Sequence, residues 1–298
     1  MSKNFSGSFV ALITPFRDKM IDETKFQELV EWQISQGSDG LVPCGTTGES
    51  PTLSHDEHER VIDLTIEVAG GRVPVIAGTG SNSTEEAIQL TKHAEKADAD
   101  AALVVMPYYN KPTQSGMYAH FKAINDEVNI PIFIYNIPSR SVVDMSIKTM
   151  VELAKLKNII GVKDASNDPI RPTNLRISLD GIDFVQFSGE DPSQLGFMAA
   201  GGDGIISVTA NVAPKMMSDF HREWEKGNID VARSIQERLM PLHNALFLET
   251  SPAPVKYAAS LLDICNSEVR LPLVEPLQET KNKLRDALEK LQLISKKT

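Results

Sequence analysis

The chain has 298 residues and a mass of 32.7 kDa; 41% hydrophobic and 23% charged residues allow a large core and argue against disorder. Thirty Lys and Arg stand against 40 Asp and Glu, and the net charge of −10 argues against nucleic acid or an anionic membrane surface as the main partner. Cys44 and Cys265 are too few for a disulfide framework or a four-thiolate metal site, there is no run of about 18 apolar residues, and the start MSKNFSGSFVALITPF lacks a signal peptide's cleavage pattern. The expectation is a reduced, soluble, cytoplasmic protein with no membrane contact.

In chain order, short apolar or β-branched runs alternate with longer segments of helical period. The runs are Phe9–Thr14, Gly40–Pro43, Pro74–Gly78, Ala101–Met106, Pro131–Tyr135, Ile159–Lys163, Phe184–Ser188 and Gly204–Val208. Helical stretches between them include Asp22–Ser35, His55–Ala69, Thr84–Ala97 and Ser115–Val128. Ser54 with Glu57, and Ser83 with Glu86, have capping-box spacing. After Pro214 the strand signals stop, and Met216–Gly227, Ile229–Leu248, Ala253–Ile264 and Glu275–Leu293 read as helices punctuated by prolines. Eight βα units predict an α/β chain, a (β/α)8 TIM barrel over residues 1–225, followed by a C-terminal helical domain over 226–298. A doubly wound sheet is the alternative, because counting strands does not show closure.

Barrel active sites lie at the C-terminal strand ends. There the chain carries Cys44-Gly45-Thr46-Thr47-Gly48-Glu49, Pro107-Tyr108-Tyr109-Asn110, Tyr135-Asn136-Ile137-Pro138-Ser139-Arg140, Lys163, Ser188-Gly189-Glu190-Asp191 and Ser207-Val208-Thr209. Tyr109 and Tyr135 are 26 residues apart, and Tyr135 and Lys163 are 28 apart, which predicts neighbouring strands and equal heights. Desolvation disfavours the ammonium form of a lysine, and the neutral amine attacks carbonyls to form a Schiff base. A nearby tyrosine can move the protons this requires. The plainer reading of Lys163 is a strand-end lysine that reaches solvent or pairs with Asp164. Gly45–Gly48 can present N–H groups and hydroxyls to a carboxylate, or be an ordinary tight turn in which the glycines permit positive φ. Arg140 can bind a carboxylate bidentately, or be a surface charge. His55 and His58, three apart near a helix start, read as a solvated helix face, since no third metal ligand is near. There is no P-loop, no complete dinucleotide fingerprint, no zinc spacing, and nothing that requires a metal or cofactor.

In combination these motifs resemble the dihydrodipicolinate synthase family of the class I pyruvate-aldolase superfamily. The resemblance rests on Gly45-Thr46-Thr47-Gly48-Glu49-Ser50, on Tyr135–Arg140 running on to Gly161-Val162-Lys163-Asp164, on Pro107–Pro112 and on Gly204–Val212. It runs from about Phe9 to beyond Pro254. It implies a lyase of lysine and diaminopimelate biosynthesis that condenses pyruvate with L-aspartate-4-semialdehyde. Lys163 would form the imine with pyruvate and Tyr135 would be the general acid/base. Thr47, Tyr135 and Tyr109 would form a proton relay, Tyr109 coming from a neighbouring subunit. Thr46 and Thr47 would hold the pyruvate carboxylate, Arg140 that of the semialdehyde, and Gly189 and Ile206 would line the site. The resemblance also implies a homotetramer, a dimer of dimers, and feedback inhibition by L-lysine at Ser50, His55, His58, Asn82, Glu86 and Tyr108. Ser141-Val142 stand where the family commonly has Thr-Gly. Two alternatives are a Schiff-base aldolase or dehydratase acting on a sugar acid, which generally lacks the arginine, and a catalytically silent, amino-acid-binding regulatory paralogue.

Overall fold

The computed structural model describes residues 5–296. The expected strands are present as β1 Gly7–Ala11, β2 Gly40–Val42, β3 Ile76–Gly78, β4 Ala101–Val105, β5 Ile132–Asn136, β6 Ile159–Asp164, β7 Val185–Ser188 and β8 Gly204–Ser207. β1 stops short of the predicted Thr14 because the Ile13 N–H leaves the ladder and donates to Asn211 Oδ1 at 3.0 Å. Helices follow the strands: α1 Glu23–Ser35, α2 His55–Ala69, α3 Thr84–Lys96, α4 Gln114–Glu127, α5 Ile147–Ala154, α6 Arg171–Leu179, α7 Gln194–Ala199 and α8 Pro214–Glu225. α9 Ile229–Leu246, α10 Ala253–Leu261 and α11 Gln278–Lys290 complete the chain, and the fold is a (β/α)8 barrel with a C-terminal helical extension. α5, α6 and α7, at 8, 9 and 6 residues, are too short to show a clear helical period in sequence. No helix among the described residues is long and apolar enough to cross a membrane.

Capping followed the local pattern at one site and departed from it at another. Ser54 and Glu57 form a full capping box on α2. On α3, Ser83 Oγ accepts from the Glu86 N–H, but the Ser83 N–H donates to Ser81 Oγ and the Glu86 carboxylate is taken by the Ser81 hydroxyl.

The chain forms two compact units, one built on Pro74–Ile206, the other on Gly7–Val73 and the chain from Ser207 onward. In the first, β3 to β7 pair in parallel and in sequence order. The β5–β6 register shifts once: Ile132 faces Ile159, but Phe133 faces Gly161, so Ile160 is bulged. The shift brings Tyr135 opposite Lys163 and Asn136 opposite Asp164. Without it every later β6 side chain would slip by one and turn to the other face. Gly161 has no Cβ to clash with the Phe133 ring, and Phe133 and Phe187 pack at 5.6 Å. Each of these fully buried rings contributes about 1.5–3 kcal/mol by burial alone. In the second unit β1 and β2 pair in parallel with the same device, Phe9 facing Gly40. α9 runs through Pro241 without ending there. Its Leu239, Leu242 and Leu246 are buried, as are Leu284 and Leu288 of α11.

Candidate active site

In the first unit Lys163 is the penultimate residue of β6 and only 5% exposed. Its Nζ lies 4.2 Å from the centre of the Tyr135 ring, on the adjoining strand and at the same height. The amine is therefore buried over an aromatic ring, not at the solvent surface that a snorkelling lysine would seek. Gly189 follows β7, and its N–H donates to Asp164 O at 2.7 Å. A Cβ there would stand 2.7 Å from Ala165 Cβ and 3.2 Å from Lys163 Cε, so glycine lets this segment pass close to the lysine. Ile206 is buried on β8. Burial, then the Asp191 charge, raises the Glu190 carboxyl to about 7, against the pull of Lys163 and Arg140.

Arg140 is exposed on a one-turn helix, Pro138–Ser141, in the loop after β5. That turn is ended by Val142 in the left-handed region, φ 65° and ψ −20°. This is the position where the resembled family commonly has glycine; a β-branched residue there costs on the order of 1–3 kcal/mol. The Ser141 hydroxyl lies within bonding distance of Ile137 O and Val143 O, both at 2.9 Å, and stiffens the turn.

Tyr109 departs from the expected height. The β4 residue opposite Tyr135 is Val105, and β4 ends there. Tyr109 lies four residues further on, off the strand, at φ 71° and 90% exposed. Equal spacing in sequence does not mean equal height when the chain leaves the strand first. Tyr108, Asn82 and Glu86 come together: the Asn82 amide donates to Tyr108 O at 3.2 Å, and burial followed by the Glu86 charge pushes the Tyr108 phenol above its ordinary value.

The second unit carries the Gly-Thr-Thr-Gly loop. Thr46–Gly48 form one 3-10 turn and Ser50–Thr52 another. The left-handed residues are Cys44 and Glu49, at φ 55° and 56°, not the glycines; Gly45 is extended. Gly48 serves close approach instead, since a Cβ would sit 3.1 Å from Leu12 O. The Thr14 hydroxyl donates to Gly48 O at 2.7 Å, Thr47 is buried, and Thr46 is half-buried. His55 is exposed at the start of α2, whereas His58, one turn on, is 3% exposed and faces the core, so the solvated-face reading fails for it. No group of three or more metal-type ligands occurs among the described residues.

Glu49, the acidic residue of the loop motif, anchors this loop through a partner that its place in the sequence does not announce. Glu49 is buried, and its Oε1 lies 2.7 Å from Lys256 Nζ of α10, while its Oε2 accepts the Arg270 N–H at 2.9 Å. The Arg270 guanidinium in turn holds Glu57 at 2.6 and 2.7 Å. Burial lowers the Lys256 amine below its ordinary value, with Glu49 opposing the shift. The available signal was a lysine in the apolar stretch Ala253-Pro-Val-Lys-Tyr-Ala-Ala, since lysine is almost never fully buried unless paired.

A (β/α)8 barrel with a buried lysine beside a tyrosine near the C-terminal ends of two adjoining strands has the architecture of an enzyme. The dihydrodipicolinate synthetase family model matches residues 4–291. The 4-hydroxy-tetrahydrodipicolinate synthase of Rhodospirillum centenum is 62% identical over 291 residues, covering 98% of this chain and all of that one. Among solved structures, the chloride-inhibited dihydrodipicolinate synthase of Acinetobacter baumannii, complexed with pyruvate, has a TM-score of 0.95 at 45% identity, over 98% of this chain and all of that one. The enzyme of Cyanidioschyzon merolae with lysine bound has a TM-score of 0.94 at 35% identity, again over 98% of this chain and all of that one. The chain belongs to the dihydrodipicolinate synthetase family and is a lyase-type enzyme.

Proposed function

We propose that the chain condenses pyruvate with L-aspartate-4-semialdehyde to 4-hydroxy-tetrahydrodipicolinate, through an imine on Lys163. The observation that carries this reading is the buried Lys163 amine 4.2 Å over the ring of Tyr135. The neutral amine attacks the pyruvate ketone, and loss of one water leaves the imine. The imine is an electron sink, so a methyl proton leaves and the enamine forms. The enamine carbon attacks the semialdehyde carbonyl, which takes up a proton as it becomes the hydroxyl. The semialdehyde's own amine then displaces Lys163 from the imine carbon, closing the ring and freeing the lysine. Tyr135 exchanges the protons, with Thr47 and a neighbouring subunit's Tyr109 as relay; the exposure of Tyr109 supports that last role. Thr46 and Thr47 hold the pyruvate carboxylate, Arg140 holds that of the semialdehyde, and Gly189 and Ile206 line the site.

The same reading includes a cytoplasmic homotetramer, with residues 1–225 as the catalytic barrel and 226–298 as a helical domain serving assembly. The end of α8 at Glu225 and the turn at Gly227, φ 79°, support that boundary. L-Lysine acts as feedback inhibitor at Ser50, His55, His58, Asn82, Glu86 and Tyr108. The lysine bound in a relative and the meeting of Asn82, Glu86 and Tyr108 support this assignment.

Incubation with pyruvate, reduction with borohydride and digestion is expected to leave the adduct on Lys163. An adduct elsewhere, or none, removes the imine reading. Turnover with aspartate semialdehyde and none with sugar acids is expected in a coupled assay, and the reverse would move the chain to the sugar-acid alternative.

A further inference from the structure

One step beyond Tyr135 and Lys163, the two strands end in a polar network, buried at Asn136, Asp164 and Arg171, that reaches the exposed Asp144 of the arginine loop. Asn136 and Asp164 are register partners, and Asn136 is fully buried. Its amide nitrogen donates to Asp164 Oδ2 at 3.1 Å and to Asp144 Oδ1 at 2.8 Å, and its carbonyl oxygen accepts the Met145 N–H at 3.1 Å. One side chain thus closes the base of the loop that leaves β5 and returns at Met145, with Arg140 on the helical turn Pro138–Ser141 within it.

Arg171, the first residue of α6 and 7% exposed, clasps the returning end. Its two terminal nitrogens donate to the Asp144 carboxylate at 2.7, 3.0 and 3.1 Å, and one of them donates to Met145 O at 2.9 Å. Its other terminal nitrogen stands 3.6 Å from Asp164 Oδ2. A bidentate guanidinium fixes direction as well as distance. A cation at a helix N-terminus runs against the helix dipole, so α6 gains nothing from this arginine locally. Its partners lie in the arginine loop and at the end of β6.

We propose that Arg171 is a positioning residue for the second substrate: it aims Arg140 by fixing Asp144 and Met145, without touching substrate itself. Tyr135 and Lys163 are held by the β5–β6 ladder, so first-substrate imine formation does not depend on the clasp. The proposal rests on the roles given above for Lys163 and Arg140.

The test is Arg171→Lys in the full-length enzyme, which keeps the charge and loses the fork. KM for aspartate semialdehyde is expected to rise about tenfold or more, since small misplacements of a binding group have large effects. Borohydride trapping of pyruvate on Lys163 is expected to stay within about twofold of wild type, a smaller change than any lost hydrogen bond to the reacting group would give. In an Arg140→Ala background the same substitution is expected to add almost nothing, because its effect passes through Arg140. Full additivity of the two substitutions, or an equal loss of imine trapping, would overturn the proposal. Failure of trapping in the wild-type enzyme would instead sink the reading of Lys163. Should Arg171→Lys not fold, Asp144→Asn, which keeps the shape of the clasp and removes its anion, carries the same expectations.

Discussion

Two lysines are buried among the described residues, one in each compact unit, and their neighbours differ in kind. Lys163 sits at a strand end, 4.2 Å over a tyrosine ring and beside a glycine that leaves room around its stem. Lys256 sits inside a helix, 2.7 Å from the Glu49 carboxylate and 4.0 Å over the Phe16 ring. A carboxylate in contact opposes the loss of charge that burial favours and turns the side chain into a strut. A tyrosine ring in contact offers no charge to pair with, which is the setting that the proposed imine chemistry requires. Burial alone therefore does not distinguish the two lysines; the partner does.

The comparison breaks most directly at Lys163. Lys163→Ala is expected to lower kcat/KM by about 1000-fold or more and to abolish the reduced pyruvate adduct in the peptide digest. An adduct that reappeared on Lys256 would erase the distinction. Lys256→Met tests the strut. It leaves Glu49 buried with the Arg270 N–H but no cation bonded to it, so urea unfolding is expected to show a loss of about 3–5 kcal/mol. Adding Glu49→Gln should recover part of that loss, and no recovery would mean that the pair is not what the loop depends on.

The smallest effect concerns Glu190, whose carboxyl is raised to about 7 chiefly by burial. A raised carboxyl pKa means that the folded state binds more protons than the unfolded one between about 4.5 and 7. Stability from this group is thus full below about 4.5 and lost as pH rises through about 7. Glu190→Gln should flatten that part of a Tm-against-pH profile, and an unchanged slope would show that another group sets it.

Much of the molecule was legible locally. The eight strands and the long helices followed from apolar runs and 3.6-residue periods, which are properties of neighbouring residues. The site loops were legible because glycines, tyrosines, a lysine and an arginine recur where strands end. The height of Tyr109 was not, because the chain leaves β4 at Val105 and spacing along a loop carries no height. Nor was the burial of His58, since a helix start with four charged neighbours, Asp56, Glu57, Glu59 and Arg60, looks solvated until its other face is covered.

The sequence by itself determined the alternation of elements, the family resemblance and the identity of the candidate nucleophile, because local pattern and residue chemistry are written along the chain. Only the tertiary structure decided how these parts are aimed. The bulge at Ile160 turns Lys163 toward Tyr135, although β6 alone reads as an unbroken apolar strand. Glu49 meets Lys256 across 207 residues, and Asp144 meets Arg171 across 27. Such pairings form when distant segments are desolvated together, and a buried charge then accepts only a partner of opposite sign within reach. That constraint acts in space, so the chain order does not display it.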